Sequence, residues 1–114
     1  MGFIKETVLD IGHDEFYRAA RYQIPLSVVL INSDDKDIFD LIEKSLRKTD
    51  MIQQLTSDLI VVFLSHTTYE NAHAFVDKVQ KEIDFTYIVD EFKGSKDGFI
   101  EKLFTSNKQY RKES

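Results

Sequence analysis

The apolar run Leu-Ser-Val-Val-Leu-Ile at residues 26–31 constrains the fold more than any other part of the chain. It has the length of a strand and is rich in β-branched residues, which is typical of a strand in the middle of a sheet. A similar run at 59–64 follows a strand-like segment at 51–55, and the two are separated by a short polar turn at 56–58. This pattern predicts a β-hairpin.

Apolar residues at helical spacing lie between these strands. They occur at 38–46 and at 72–83, and the second segment is preceded by Thr67 and Glu70, a pairing typical of a helix start. A fourth strand is predicted at 85–89. Further helices are predicted before the first strand (14–22) and after the fourth (from 100 on).

The order of elements is therefore α-β-α-β-β-α-β-α, and its middle part, βαββαβ, is the ferredoxin-like arrangement. We predict an α+β domain with a four-stranded antiparallel sheet and helices mainly on its two faces. This topology pairs the third strand with the first. Residues 32–34 and the turn at 56–58 are then expected at the same end of the sheet.

Length and composition predict one domain over residues 1–114, in the cytoplasm. The net charge of −5, without a basic block, argues against a nucleic-acid partner. The chain has no cysteine and no apolar run long enough to cross a membrane, so we expect no direct membrane contact. Residues 1–12 are either an extra strand or a linker helix, and 107–114 form a polar tail.

Residues 50–64 (DMIQQLTSDLIVVFL) follow, position by position, the pattern D-l-v-a-R-l-G-G-D-E-F-v-v-l-L. That pattern belongs to the GGDEF domain of bacterial diguanylate cyclases, and the chain resembles a degenerate, truncated form of its palm-like fold. Residues 26–34 are similar to the family's first strand, which ends in D-x-D, and 103–111 are similar to its C-terminal motif. The resemblance implies a signalling protein related to cyclic di-GMP.

The signature itself is replaced by Thr56, Ser57, Asp58, Leu59 and an isoleucine. In the family, two glycines let the backbone approach phosphates, and side chains at the first two positions narrow that space. Asp58 keeps one acidic position, but leucine stands where the family has glutamate. Asn32 replaces a metal-binding aspartate, and a neutral amide is a poor ligand for Mg²⁺.

Other family features are also changed. Gln54 stands in place of the arginine before the signature, and Asn107 in place of a phosphate-contacting lysine, whereas Arg111 is retained. The segment that reads guanine in the family is mostly missing. The resemblance therefore implies a domain with no catalytic residues, no bound metal and no cofactor, and we expect no cyclase activity.

The family's inhibitory site, an R-x-x-D motif five residues before the signature, is matched by Arg47 and Asp50. In the family this motif binds cyclic di-GMP. A guanidinium can stack on guanine or grip phosphate, and a carboxylate can accept from a guanine edge. Lys78 falls near the position of a second family arginine. The alternative interpretation is an ordinary helix end, where basic residues favour the negative end of the helix dipole.

A second cluster of interest contains Asp34, Asp35, Asp37 and Asp58, which could form a residual cation site. The alternative is that residues 34–37 cap the helix that begins near residue 38, while Asp58 serves the turn. The three histidines show no metal-ligand spacing, and we expect solvated surface positions for them.

We therefore expect a catalytically inactive, GGDEF-like regulatory domain that acts through a protein partner or through an adjacent sensor or effector domain. The first alternative is a cyclic di-GMP receptor that uses Arg47, Asp50 and Lys78. The second alternative is a weak nucleotide cyclase or hydrolase built around Asp34 and Asp58. The sequence leaves the oligomeric state open, although the resemblance allows a homodimer because cyclases of the family work as dimers.

Overall fold

The computed structural model describes residues 2–105 and 110–111, with side chains for 3–105. This part of the chain contains five helices and five strands. The helices are α1 (Gly2–Ile11), α2 (His13–Tyr22), α3 (Ile38–Ser45), α4 (Tyr69–Gln80) and α5 (Lys96–Thr105). The strands are β1 (Leu26–Asn32), β2 (Met51–Thr56), β3 (Leu59–Ser65), β4 (Thr86–Glu91) and β5 (Tyr110–Arg111).

The strands form one antiparallel sheet in the order β2-β3-β1-β4-β5. The predicted α+β class and the ferredoxin-like βαββαβ core with its four antiparallel strands are confirmed. The two-residue strand β5 extends this sheet beside β4. Strand β1 lies between β3 and β4 and is buried along residues 26–31, which explains its continuous apolar sequence.

Helices cover both faces of the sheet because alternate residues of β1 point to opposite sides. Val29 and Ile31 face a core shared with α3 and α4, whereas Val28 and Leu30 face a core shared with α1, α2 and α5. The fully buried side chains of the first core include Val29, Ile42, Ile60, Val62, Ala72 and Val76. Those of the second core include Val8, Val28 and Val61.

The N-terminal segment is a helix rather than an extra strand. Val8 of α1 is fully buried against the sheet, and Lys5 Nζ lies 2.7 Å from Glu101 Oε1 on α5. At the other end of the chain, residues 110–111 of the expected polar tail pair with β4. The rest of that tail lies outside the described residues.

The helix starts differ in detail from the expectation. The N-cap of α4 is Thr68, not Thr67, and its hydroxyl accepts from the backbone N–H of Asn71. Asp37 occupies the N-cap of α3 without a side-chain capping bond. Instead, Asp35 Oδ1 accepts from the N–H of Asp37 at 2.9 Å, so residues 34–37 order the turn before the helix.

Candidate functional site

The hairpin turn between β2 and β3 lies beside the end of β1, as the topology predicts. Asn32 pairs with Leu59, and the N–H of Ser33 donates to the carbonyl oxygen of Asp58 at 2.9 Å. Residues 32–34 and 56–58 therefore form one end of the sheet, called here the hairpin end.

Polar groups at the hairpin end are bonded to one another. Asp58 Oδ1 accepts from the hydroxyl of Thr56 at 2.8 Å. The side-chain amide of Gln54 donates to the carbonyl oxygens of Thr56 and Leu59, at 2.5 and 3.4 Å. The register shifts between Gln54 and Thr56, as in a β-bulge, which bends the strand just before the turn. The turn is thus closed by its own side chains.

The other residues at the hairpin end that differ from the GGDEF pattern carry no charge. Leu59, which the sequence resemblance aligns with a glutamate, is half-buried and packs against the core shared with α1, α2 and α5. Asn32 and Ser57 are exposed and uncharged. Asp58 is therefore the only charged side chain contributed by the turn residues 56–59.

The acidic residues after β1 do not assemble into a cluster. Asp34, Asp35 and Asp37 are all exposed, and Asp35 is used within its own turn. Among residues 3–105, no three His, Asp or Glu side chains converge closely enough to hold a metal ion. The four aspartates 34, 35, 37 and 58 are near one another in sequence and topology, but they do not form a ligand set.

Arg111 lies at the same end of the sheet by register. It pairs with Thr86 of β4, and Thr86 pairs with Asn32 of β1. The backbone of Arg111 is therefore two strands away from that of Asn32, in the same transverse row.

Arg47 and Asp50 are brought together, and they bind each other. The Asp50 carboxylate accepts from Arg47 Nε at 3.2 Å, from Arg47 Nη2 at 3.1 Å and from the Arg47 backbone N–H at 2.9 Å. It also accepts from the N–H of Ser65 at 3.0 Å. Arg47 Nη2 further donates to the carbonyl oxygen of Ser65 and, at 2.8 Å, to the hydroxyl of Thr67. This network, called here the Arg47–Asp50 clamp, ties the start of β2 to the end of β3.

The two charged side chains of the clamp differ in their exposure to solvent. The Asp50 side chain is 2% exposed, whereas that of Arg47 is 55% exposed. The carboxylate is consequently committed to intramolecular bonds. Arg47 Nη1 has no hydrogen-bond partner among the described residues, so part of the guanidinium remains available to solvent.

A cavity of about 240 Å³ adjoins the clamp. Leu64 and Phe75 give it apolar walls, and its other lining residues are Ser45, Arg47, Asp50, His66, Thr67 and Asn71. His66 has a left-handed backbone with φ of 54°, and its Nδ1 lies 2.9 Å from Ser65 Oγ. Non-glycine residues in this region are uncommon and often lie at binding sites.

Lys78 does not join this group. It is exposed on α4 and does not line the cavity. Seven residues separate it from Asn71 along the helix, which corresponds to about 10 Å of rise. His13 is exposed, as expected, whereas His73 is half-buried with Nδ1 2.9 Å from the hydroxyl of Tyr87.

The sequence reasoning did not find Ser65, His66, Asn71 and Phe75 as neighbours of Arg47. A signal was present in the predicted hairpin, because residues just before β2 must lie beside residues just after β3. The observed register places Met51 opposite Phe63, so Asp50 reaches the turn that follows β3. The position of α4 beside Arg47 depends on tertiary packing, and no local sequence pattern predicts it.

The chain matches no protein-family model, and no curated protein matches it. Among solved structures, it is similar to the crystal structure of a DGC protein from Thermotoga maritima, with a TM-score of 0.61. The match covers 76% of this chain and 77% of that chain at 15% sequence identity. The two proteins share a fold. This chain thus has a fold like that of a DGC protein. No helix in the described part of the chain has the length and apolarity to span a membrane.

Proposed function

We propose that this chain is a catalytically silent GGDEF-like signalling domain that acts by binding another protein. The proposal rests on how the side chains at the hairpin end are bonded and packed. There, Asp58 accepts from Thr56, and Leu59 packs into the core at the position where the family has glutamate.

The chemistry of nucleotide cyclisation supports this view. The reaction needs cations to neutralise the phosphate charge that develops during attack. Asn32 carries no charge, and the hairpin contributes the single carboxylate of Asp58. One carboxylate that is already bonded within its own turn is a poor substitute for a two-metal site.

The test of catalytic silence is incubation with GTP and Mg²⁺ or Mn²⁺, followed by chromatography of the nucleotides. We expect GTP to remain intact over the time in which an active cyclase consumes it. Product formation by the wild-type chain that is lost in Asp58→Ala would overturn the proposal and favour the cyclase or hydrolase alternative.

Exposed aromatic residues support a role in protein binding. Phe3 on α1 is 82% exposed, and Tyr17 and Tyr22 on α2 are 56% and 61% exposed. The guanidinium of Arg21 lies 5.7 Å from the ring centroid of Tyr22. Tyrosine and arginine are the residues that most often dominate the free energy of protein–protein association.

The binding claim is tested by affinity purification of the tagged chain from its native cells, with mass spectrometry of what co-purifies. We expect one protein other than the chain itself to be recovered with wild type and equally with Asp58→Ala. The double variant Tyr17→Ala, Tyr22→Ala should lose it. Recovery that depends on Asp58 and not on the tyrosines would contradict the proposal.

A second candidate function is binding of cyclic di-GMP at the cavity beside the clamp. Arg47 Nη1, which has no hydrogen-bond partner among residues 3–105, supports it together with the aromatic wall of Phe75. However, Asp50 is buried in the clamp, and Lys78 does not reach the cavity. A family-type site would need the Asp50 carboxylate to be free.

Calorimetric titration with cyclic di-GMP separates the two candidates. The receptor hypothesis requires a dissociation constant below about 100 μM, which corresponds to roughly 5 kcal/mol of binding free energy. Asn71→Ala is the informative variant. Asn71 lines the cavity but is not part of the Arg47–Asp50 clamp, so we expect the substitution to leave the fold intact. Binding that Asn71→Ala weakens would establish the receptor, and no heat with wild type would reject it.

A further inference from the structure

Strand β2 lies at an edge of the sheet. It pairs with β3 on one side, and no other described strand pairs with it on the other. In an antiparallel sheet, alternate residues of such a strand direct their N–H and C=O groups outward. These groups make β2 a template for a further strand.

The edge lacks the usual protection against pairing. Residues 51–56 (Met-Ile-Gln-Gln-Leu-Thr) contain neither a charged residue nor proline, in a chain that is 31% charged. Natural edge strands are commonly protected by lysine, proline or a central bulge. The bulge of β2 lies at Leu55, between Gln54 and Thr56, so residues 51–54 are regular and Leu55 remains on the same face as Met51.

We propose that β2 is the interface at which a second copy of this chain binds, by antiparallel pairing of the two β2 strands about a twofold axis at Gln53. The two sheets then become one continuous sheet. This proposal goes beyond the proposed function and does not depend on what the hairpin end or the cavity binds.

The register follows from the faces of the strand. A twofold axis perpendicular to the sheet keeps the same face of both copies on the same side, so each residue must oppose one that points to its own face. Met51 and Leu55 both belong to the face covered by α1, α2 and α5. With Gln53 on the axis, Met51 opposes Leu55 of the second copy, which gives two apolar cross-strand pairs.

Charge is compatible with this register. Lys48 and Asp58 are exposed, each five residues from Gln53, in the turns before and after β2. The turn that holds Lys48 of one copy then lies toward the turn that holds Asp58 of the other, so opposite charges flank the paired strands at both ends.

The self-complementary pattern favours a second copy over an unrelated strand. Uncharged side chains along β2 also allow two molecules of net charge −5 to approach without like charges in direct contact. A six-residue strand pair buries a small area, so the dimer is of the weak, reversible class.

A single cysteine on the axis tests the proposal, because the chain has no cysteine of its own. In Gln53→Cys, the two Cβ atoms of directly opposed residues lie about 4.5–5.5 Å apart, close to the roughly 3.5–4.5 Å of a disulfide, so a small shift of the strands lets the bond form. The control is Ala74→Cys, at an exposed position of α4. Under mild oxidation we expect Gln53→Cys to form covalent dimers at least about tenfold faster than the control, since pairing raises the local thiol concentration.

The second measurement is sedimentation of unmodified chain at concentrations up to about 0.5 mM, where weak interfaces become populated. We expect a concentration-dependent dimer for wild type and for Ala74→Lys, and a monomer for Gln53→Lys, which places like charges on the axis. Equal disulfide rates for the two cysteine variants, or a dimer that Gln53→Lys leaves intact, would overturn the proposal. A wild-type chain that stays monomeric would overturn it as well.

Discussion

Replacement of Asp50 by alanine should destabilise the fold, whatever the cavity binds. The carboxylate is 2% exposed and accepts four hydrogen bonds, two from the Arg47 side chain and two from the backbone N–H groups of Arg47 and Ser65. These contacts join the α3–β2 connection to the end of β3. Asp50→Ala removes all four at once.

The size of the stability loss depends on which hydrogen-bond partners of Asp50 can bind water instead after the substitution. The Arg47 side chain is 55% exposed, so its guanidinium is solvated after the substitution, and loss of the ion pair costs only about 0–1 kcal/mol. The N–H of Ser65, by contrast, loses its acceptor in a partly buried place, which costs about 1–3 kcal/mol. The N–H of Arg47 is exposed and adds little, so the expected loss of unfolding free energy is about 1–4 kcal/mol.

The assay is urea unfolding followed by circular dichroism. With an m-value of about 2 kcal/mol/M, the midpoint of Asp50→Ala should fall by about 0.5–2 M at an unchanged slope. Asp77→Ala, an exposed aspartate on α4, is the matched control and should stay within about 0.5 kcal/mol of wild type. Equal midpoints for the two variants would refute the reasoning, because the clamp would then contribute nothing to folding.

Two further substitutions test the packing and the helix start. A Cβ added at Gly12 would lie 2.6 Å from Phe63 Cζ and 3.0 Å from Phe16 Cε2, so Gly12→Ala should cost about 1–3 kcal/mol and lower the melting temperature by roughly 4–10 °C. In Gly98→Ala, the added Cβ meets only the Ser95 hydroxyl, so a melting temperature as low as that of Gly12→Ala would contradict this explanation. Thr68→Ala should cost about 1 kcal/mol in thermal or urea unfolding through loss of the α4 N-cap, and Thr68→Ser should restore it; no recovery with serine would count against the cap.

The order and type of the main elements were predictable because each has a strong local pattern. The continuous apolar run of β1 marks a strand covered on both faces, and the polar turn at 56–58 marks a hairpin. From these two features, the ferredoxin-like pairing of β3 with β1 follows. The start of α4 was displaced by one residue, because Thr67 and Thr68 are both suitable caps and only the backbone geometry selects between them.

The sequence predicted where the candidate site residues lie in the fold, but not which hydrogen bonds their side chains make. Topology alone placed residues 32–34 beside the hairpin turn, and the structure agrees. The R-x-x-D motif gave no sign that Arg47 and Asp50 would bind each other and the end of β3. That outcome depends on side-chain direction and on the turn after β3, which involve residues 15 to 20 positions away in sequence. The distance of Lys78 from the cavity likewise depends on how α4 packs.

The central claim is that the hairpin end is closed by its own side chains and does not take up a nucleotide. The most direct measurement is a titration of the isotope-labelled chain with GTP and Mg²⁺, followed through the backbone amide resonances. We predict no saturable shifts for Asn32, Ser33, Thr56, Asp58 or Leu59 at up to about 1 mM GTP, the upper range of ordinary Michaelis constants. Saturable shifts confined to these residues, and absent in Asp58→Ala, would contradict the account.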